Sequence, residues 1–303
     1  MKAIFKYFKH FRLCLDVLLI LALLMILFLP WQNWFDDGVK LSRAALGVSW
    51  EHPLGTDALG RDQWLRAINS LRETLPWLWM GVFLGVSSGL SLGVLRLASS
   101  MRPSIQQICR FWESIALFLH GVPLPIAAFF LMVVTHAQGL LSFVICLTAL
   151  MLLRSYFFVT SNYQRSKLLG YWQAHEAMGG LRLGRIWKYG IFGHWRSELF
   201  LAIAFFMKVA VITEISLSYL GFGVQEPRAS FGNLLSNQLR QFFDGEWSLL
   251  IGALALISLA CEAPFCLYRW LNVWPAVLRG QRPFPLPGEK SSGLRTDPSH
   301  GRP

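Results

Sequence analysis

Long apolar runs alternate with shorter polar segments along most of this chain of 303 residues. Each run is close to the ~20 residues that a helix needs to cross a bilayer. Runs of this length are predicted to be helices, because a helix pairs its own backbone groups where lipid offers them no partner. The pattern therefore predicts an all-α membrane protein with six transmembrane helices, at 13–31, 74–96, 113–134, 139–158, 199–220 and 247–269.

The lysines and arginines give the predicted helices an orientation. With a cytoplasmic N-terminus, the segments 1–12, 96–112, 154–198 and 269–303 face the cytoplasm and hold 20 of the 28 basic residues. That bias follows the positive-inside rule, so both termini are expected in the cytoplasm. The first run is expected to be an uncleaved span, because no small-residue cleavage site follows it. Topology accounts for the net charge of +11, and no nucleic-acid partner is expected.

The same pattern divides the chain into four parts. Residues 1–31 form a cytoplasmic N-terminus with the first span, and residues 32–73 form an outer segment that ends in an interfacial helix. Residues 74–279 form the main transmembrane domain, with a long cytoplasmic loop at 159–198. The tail, 280–303, is rich in proline, glycine, serine and arginine and is expected to be disordered. The cysteines show no metal-binding or disulfide spacing.

Three charged residues lie deep within the fifth and sixth predicted spans. Lys208 and Glu214 belong to the fifth span, and Glu262 belongs to the sixth. A charge at the centre of a lipid-facing helix costs about 2.5–3.5 kcal/mol on insertion scales, so these side chains are expected to avoid lipid. Two interpretations remain open: the residues line a translocation path, or they are structural charges satisfied inside the bundle.

Four glycines recur every fourth residue in the second span, at Gly81, Gly85, Gly89 and Gly93. This spacing puts them on one stripe of a helix, where small residues let a neighbouring backbone approach closely. The stripe therefore predicts tight helix–helix packing.

The outer segment contains an unusually polar stretch, HPLGTDALGRD at 52–62. Thr56 or Asp57 is expected to cap a helix that follows. Trp64, Ile68, Leu71 and Leu75 then form its apolar stripe. Asp57 and Arg61 have two alternative roles, which are to fix the geometry of the second span or to form an outer gate.

The cytoplasmic segment 168–195 has the pattern of two short helices. Tyr171–Met178 can form the first, with Gly179 and Gly180 ending it. Leu181–Tyr189 is basic and aromatic, which is typical of a helix at a membrane surface. The segment is either a docking element for a partner or an ordinary loop lying on anionic lipid.

Three stretches resemble the C-type permease subunits of dipeptide, oligopeptide and nickel ABC importers. They are HPLGTDALGRD at 52–62, EISLSYLGFGVQEPRASFGNLL at 214–235, and YWQAHEAMGG at 171–180, where the family carries its EAA loop. The resemblance runs from about residue 10 to residue 275. It departs at Gln173, where the family has glutamate, at His175, where it has alanine, and at Phe192, where it has proline.

The resemblance implies the type I ABC importer permease fold in a bacterial inner membrane. It implies a second homologous permease, two ATP-binding subunits that hold ATP and Mg, and a periplasmic or lipid-anchored binding protein. The chain has no phosphate-binding loop and is expected to bind no cofactor or metal and to be no enzyme. The cargo would be peptides, nickel or a metal chelate. The residues expected to couple to an ATPase, with Trp172 foremost, are Trp172, Gln173, Ala174, His175 and Gly179.

A different class of function also remains open at this stage. A membrane protein without ATPase partners, such as a stand-alone channel or scaffold, would show the same six apolar runs. The polar outer segment and the glycine-stopped cytoplasmic helix favour the importer, because a lone channel has no need of a docking helix.

Overall fold

The computed structural model describes residues 2–29, 38–57, 59–98, 103–136, 139–177, 182–223, 229–243 and 247–273. Within these ranges the chain is helical, and an isolated bridge between Thr56 and Asp62 is the only β pairing. The helices are α1 (Lys2–Phe28), α2 (Gln63–Ala98), α3 (Pro103–Gly121), α4 (Leu124–Thr135), α5 (Leu140–Ser166), α6 (Gly170–Ala177), α7 (Arg182–Arg185), α8 (Arg196–Tyr219), α9 (Phe231–Phe243) and α10 (Trp247–Tyr268).

Four described helices, α2, α5, α8 and α10, are long and apolar enough to cross a membrane. A fifth span results if α3 and α4 are counted as one, while the apolar part of α1 covers only Cys14–Ile26. The prediction of a helical, multi-pass membrane protein is therefore confirmed. The count of six spans and the cytoplasmic position of both termini stay predictions.

The third predicted span, 113–134, is wrong as a single straight helix. The chain breaks between Gly121 and Leu124, and the two helices meet at 114°. Pro123 explains the break, because proline lacks the backbone N–H of a continuing helix and disfavours helical angles at the residue before it. The apolar composition of residues 113–134 predicts one span, but the break at Pro123 divides this run between two helices.

The glycine stripe of α2 packs against α5, as the sequence predicts. A Cβ atom on Gly85 would lie 2.6 Å from the Cβ of Met151, and one on Gly93 would lie 2.9 Å from the Cβ of Val159. At Gly89 a Cβ would collide with the carbonyl oxygen of Leu152. These distances are too short for any larger residue, so the two helices approach at backbone contact.

Helix α1 is joined to the rest of the bundle by two arginines. The guanidinium of Arg269, in the π-helical turn Arg269–Val273 after α10, donates to the Asp16 carboxylate at 2.5 and 2.9 Å. Arg72 of α2 donates to the carbonyl oxygens of Ile26 and Leu29 at the end of α1. Asp16 is 2% exposed, so its contact with Arg269 is buried inside the bundle.

Three elements differ from their predicted bounds. α2 is continuous across residues 73 and 74, where the sequence predicts an interfacial helix followed by a span. The predicted surface helix Leu181–Tyr189 is instead α7 and a π-helical stretch, Ile186–His194. α9 is an additional helix in the outer segment after the fifth span. The apolar periodicity of α2 continues through residues 73 and 74, so it does not indicate a boundary between two helices there.

Candidate coupling and translocation sites

The carboxylate of Asp57 organises the outer segment. It accepts hydrogen bonds from the backbone N–H groups of Leu59 and Arg61 at 2.9 and 2.8 Å. The Arg61 side chain donates to it at 2.7 Å, and Arg66 lies 3.5 Å away. Asp57 is 4% exposed, so two cations and two backbone donors neutralise a carboxylate that water hardly reaches. Asp57 and Arg61 therefore form a structural pair in this conformation.

Thr56 and two glycines close the same segment, residues 38–62, on itself. The Thr56 hydroxyl donates to the carbonyl oxygen of Arg43 at 2.5 Å and accepts from the N–H of Leu46 at 2.8 Å. Gly55 and Gly60 both have φ of +74°, a region that glycine adopts readily. A Cβ on Gly55 would lie 2.7 Å from the Leu46 carbonyl oxygen. The segment is therefore a compact outer loop that excludes larger residues at both glycines.

Asp62 caps α2, and the prediction that Thr56 or Asp57 would do so is wrong. Asp62 accepts a hydrogen bond from the N–H of Leu65 at 3.0 Å, and its other oxygen lies 2.7 Å from Nδ1 of His52. Thr56 and Asp57 are instead engaged within the outer loop, several residues before the helix begins. The signal was present in the sequence, since aspartate directly before a helix is a preferred cap.

The apolar stripe predicted for the start of α2 is confirmed. Ile68, Leu71 and Leu75 are at most 1% exposed, and Trp64 is partly buried against the same core. The stripe belongs to the first turns of a long helix, so it anchors the outer loop to the bundle.

Helix α6, which is predicted to lie on the cytoplasmic side, is held by an aromatic cluster of Tyr163, Trp172 and Trp195, against which Ile191 also packs. Trp172 and Trp195 stack with ring centroids 6.1 Å apart and planes at 16°. Tyr163 meets Trp172 edge-on at 5.7 Å. Trp195 Nε1 donates to the Ser166 hydroxyl at 2.8 Å, so the buried indole N–H is paired. The cluster joins α6 to the end of α5 and the start of α8.

The Trp172 side chain is 4% exposed and packs on its own chain, because the flat ring fills the space between Tyr163 and Trp195. In this conformation Trp172 positions α6 through contacts within the chain, and its contact with an ATPase stays a prediction. Trp195, which sequence reasoning missed, is its partner and is 1% exposed.

The structure describes the side chains of two of the other predicted coupling residues. Gln173 and Ala174 are exposed, and the Gln173 amide donates to the carbonyl oxygen of Lys167 at 3.3 Å. The side chain of His175 and the whole of Gly179 lie outside the described residues. Contact of these residues with a partner stays a prediction.

Two of the charges predicted inside the spans meet each other. Lys208 Nζ donates to Glu262 Oε1 at 2.8 Å, which joins α8 to α10. The side chains are 35% and 44% exposed, and the ammonium lies 5.5 Å from the ring centroid of Phe265. This pair lies on the surface of the chain, where it could face a path.

Glu214 is placed differently, inside the chain. It is 1% exposed and accepts a hydrogen bond from the Ser218 hydroxyl at 2.7 Å. Cβ atoms on Gly223 and Gly232 would both collide with Ser218, so the chain wraps closely around this site. Unlike Glu262, Glu214 does not reach a surface in this conformation, and its burial argues for a structural role instead of the predicted path role.

The described residues contain no group of three or more histidine, cysteine, aspartate or glutamate side chains that could hold a metal ion. Sequence reasoning also missed Asp16, although an acidic residue within the first apolar run was a visible signal. The structure shows why Asp16 is there, since it pairs with Arg269 across the bundle.

Comparison with known proteins finds similarity to transport permeases. No family model matches it. It is 25% identical over 252 residues to a putative peptide transport system permease of Brucella suis biovar 1 (strain 1330), covering 82% of this chain and 81% of that protein. It is 26% identical over 253 residues to the oligopeptide transport system permease OppC of Bacillus subtilis (strain 168), covering 78% and 76%.

A second putative peptide permease of Brucella suis biovar 1 (strain 1330) is 27% identical over 256 residues and is covered to 80%. The alignments therefore cover most of both chains. The chain is therefore similar to peptide transport permeases over most of its length, which agrees with the resemblance in its sequence.

Proposed function

We propose that this chain is the permease subunit of an ATP-driven peptide importer in a bacterial inner membrane. It would have the type I importer fold, with both termini in the cytoplasm, and would form the translocation path with a second, homologous permease. The relatives reported above are named for peptides or oligopeptides, which favours peptides over nickel or a metal chelate as cargo.

The remaining subunits follow from the same proposal. Two ATP-binding subunits would carry ATP and Mg and perform the hydrolysis, so this chain would be no enzyme and would hold no cofactor. A periplasmic or lipid-anchored binding protein would deliver the peptide at the outer end.

The observation that carries the proposal is the way α6 is mounted. Its aromatic residue Trp172 is buried against the ends of α5 and α8, while Gln173 and Ala174 face outward. A helix fixed to two membrane helices on one side and open on the other is suited to receive a partner. Movement of that partner would reach α5 and α8 directly through the aromatic cluster.

The experiment is co-purification from the native operon with both ATPases, followed by measurement of ATPase stimulation and peptide uptake in proteoliposomes. Ala174→Arg introduces bulk and charge on the outward side of α6 and should reduce stimulated ATPase activity and uptake at least ten-fold. Gln164→Arg is the matched control, since Gln164 is also exposed but lies on the last turn of α5. The control should retain at least half of the activity.

A wild-type chain that recruits no ATPase and conducts solute without ATP would contradict the importer and support the stand-alone channel. Equal activity of the Ala174→Arg variant and the control would show that α6 is no docking element.

A further inference from the structure

The ion pair between Lys208 and Glu262 is only partly covered by its own chain. The two side chains remain 35% and 44% exposed although Nζ and Oε1 are 2.8 Å apart. Lys208 lies at the middle of α8, Arg196–Tyr219, and Glu262 lies near the middle of the helical stretch formed by α10, Trp247–Tyr268, and the following π-helical turn, Arg269–Val273. The pair is therefore an exposed charged spot at mid-depth in the predicted spans.

The surface around this spot is apolar. Phe205 and Ile212, one turn away on either side of Lys208 in α8, are 51% and 43% exposed. Charges at the centre of a lipid-facing helix cost about 2.5–3.5 kcal/mol each on insertion scales. Facing lipid is therefore unfavourable for this pair, and either a polar path or another subunit is expected in front of it.

No other acid competes for Lys208 on its own helix within the described residues. Glu214 is buried and bound to Ser218, and Glu198 lies in the first turn of α8, far from the middle. Lys208 and Glu262 thus form one pair of opposite charges, each with an accessible side.

We propose that Lys208 and Glu262 bind a solute that carries one free ammonium and one free carboxylate, as a short peptide does. The inference rests on the proposed importer function and names the chemistry that the path would recognise. The solute carboxylate would bind the Lys208 ammonium, and the solute ammonium would bind the Glu262 carboxylate.

The physical reason is the balance of charge. When the zwitterion enters, one internal ion pair is exchanged for two charge-assisted contacts, while the net charge of the site stays zero. A path without these groups would leave both solute termini desolvated and unpaired, which is costly. Blocking either terminus of the solute removes one of the two contacts, so the site distinguishes free from blocked ends.

The first test is the double variant Lys208→Met/Glu262→Gln, assembled with its ATPases, second permease and binding protein in proteoliposomes. Uptake of alanyl-alanine and trialanine should fall at least ten-fold, with unchanged recovery of the complex and unchanged ATPase stimulation by the binding protein. Ile212→Ala, on the same face, is the control and should stay within two-fold of wild type.

Two results of this test would overturn the proposal. A purely structural ion pair can be replaced by apolar residues without loss, so wild-type uptake by the double variant would show that the pair is structural. Failure of the second permease to co-purify with the double variant would show that the pair belongs to the interface between subunits.

The second test uses the termini of the probe. Amidation of the alanyl-alanine carboxyl group should reduce wild-type uptake at least five-fold, but uptake by Lys208→Met less than two-fold. The same binding protein is present in both assemblies, so its own preference for a free carboxylate affects wild type and variant equally. If the ratio of alanyl-alanine uptake to uptake of its amide is the same in Lys208→Met as in wild type, the proposal is overturned. If the wild-type complex imports no peptide, both this inference and the proposed function are overturned. If the wild-type complex imports peptide and the variants import it equally well, this inference alone is overturned.

Discussion

The two ends of the helical bundle are held together by different kinds of contact. At the end predicted to face outward, the outer loop is fixed by hydrogen bonds that involve Asp57, Thr56 and Asp62. At the end predicted to face the cytoplasm, α6 is held mainly by the stacked rings of Trp172 and Trp195, with a hydrogen bond from Trp195 to Ser166 and a longer one from Gln173 to Lys167. The outer end depends on directional bonds, and the cytoplasmic end depends mainly on buried aromatic surface.

This difference in contacts determines how far each end of the bundle can move. Hydrogen bonds weaken steeply when their angle or length changes, so the outer loop holds the start of α2 in one geometry. Aromatic contacts depend mainly on buried area and tolerate several ring arrangements, so α6 can shift slightly without detaching. The end that is proposed to receive motion is thus the end whose contacts tolerate it.

The largest effect is expected from Asp57→Ala at the outer end. It leaves the backbone N–H groups of Leu59 and Arg61 and the charges of Arg61 and Arg66 without their shared acceptor. Removing one partner from a buried charged network costs about 3–5 kcal/mol. Thermal unfolding of the purified protein should show this loss. Glu51→Ala, on the exposed part of the outer loop, is the control, and an equal effect in both variants would remove the assigned role of Asp57.

A smaller effect is expected from Trp172→Ala at the cytoplasmic end. Truncation of a buried tryptophan costs about 3 kcal/mol or more, but the loss should be local to α6 and leave the spans folded. We expect faster proteolysis of the α6 region and at least ten-fold lower ATPase stimulation, with unchanged membrane insertion. Trp172→Phe, which keeps a ring for stacking, should recover most of the stimulation, and failure to do so would contradict a packing role.

A matched pair of hydroxyl deletions compares the two ends directly. Thr56→Val removes a hydroxyl that both donates and accepts in the outer loop, whereas Ser166→Ala removes one that accepts from Trp195. Leaving a buried polar group unpaired costs about 1–3 kcal/mol, and Thr56 leaves two such groups while Ser166 leaves one. Chemical unfolding should show the larger loss for Thr56→Val. A larger loss of unfolding free energy in Ser166→Ala than in Thr56→Val would contradict the conclusion that the outer end depends more on hydrogen bonds.

The smallest effect is expected from Gln173→Glu. The side chain is exposed and makes one long hydrogen bond, at 3.3 Å, to the carbonyl oxygen of Lys167. Restoring the acid found in the resembled EAA loop should change peptide uptake by less than three-fold, because Trp172 rather than residue 173 positions α6. A ten-fold gain in uptake would show that the charge at residue 173 controls coupling.

The sequence predicted those features that depend on spacing within one helix. The stripe of Gly85, Gly89 and Gly93 correctly indicated close packing, and Ile68 and Leu71 are buried as their periodicity predicts. These signals are local, since neighbouring turns of one helix carry them. The resemblance likewise rests on short stretches that can be compared residue by residue.

What the sequence did not predict depends on contacts between distant parts of the chain. Asp16 and Arg269 are 253 residues apart, and no local pattern joins them. Trp172 could face either a partner or its own chain, and only the position of Trp195 decides between them. Asp57 was assigned to the wrong contact because several residues of the outer loop can cap a helix, and the path of the backbone determines which one does.

The ion pair between Asp16 and Arg269 has a consequence for how the protein is made. A ribosome delivers α1 first and the turn after α10 among the last described residues, so the contact between Asp16 and Arg269 forms only after most of the chain has been made. During that interval α1 lacks this link to the end of α10. Completion of the last helix is therefore the event that secures the first one, and chains truncated before Arg269 should be recognised by membrane quality-control proteases.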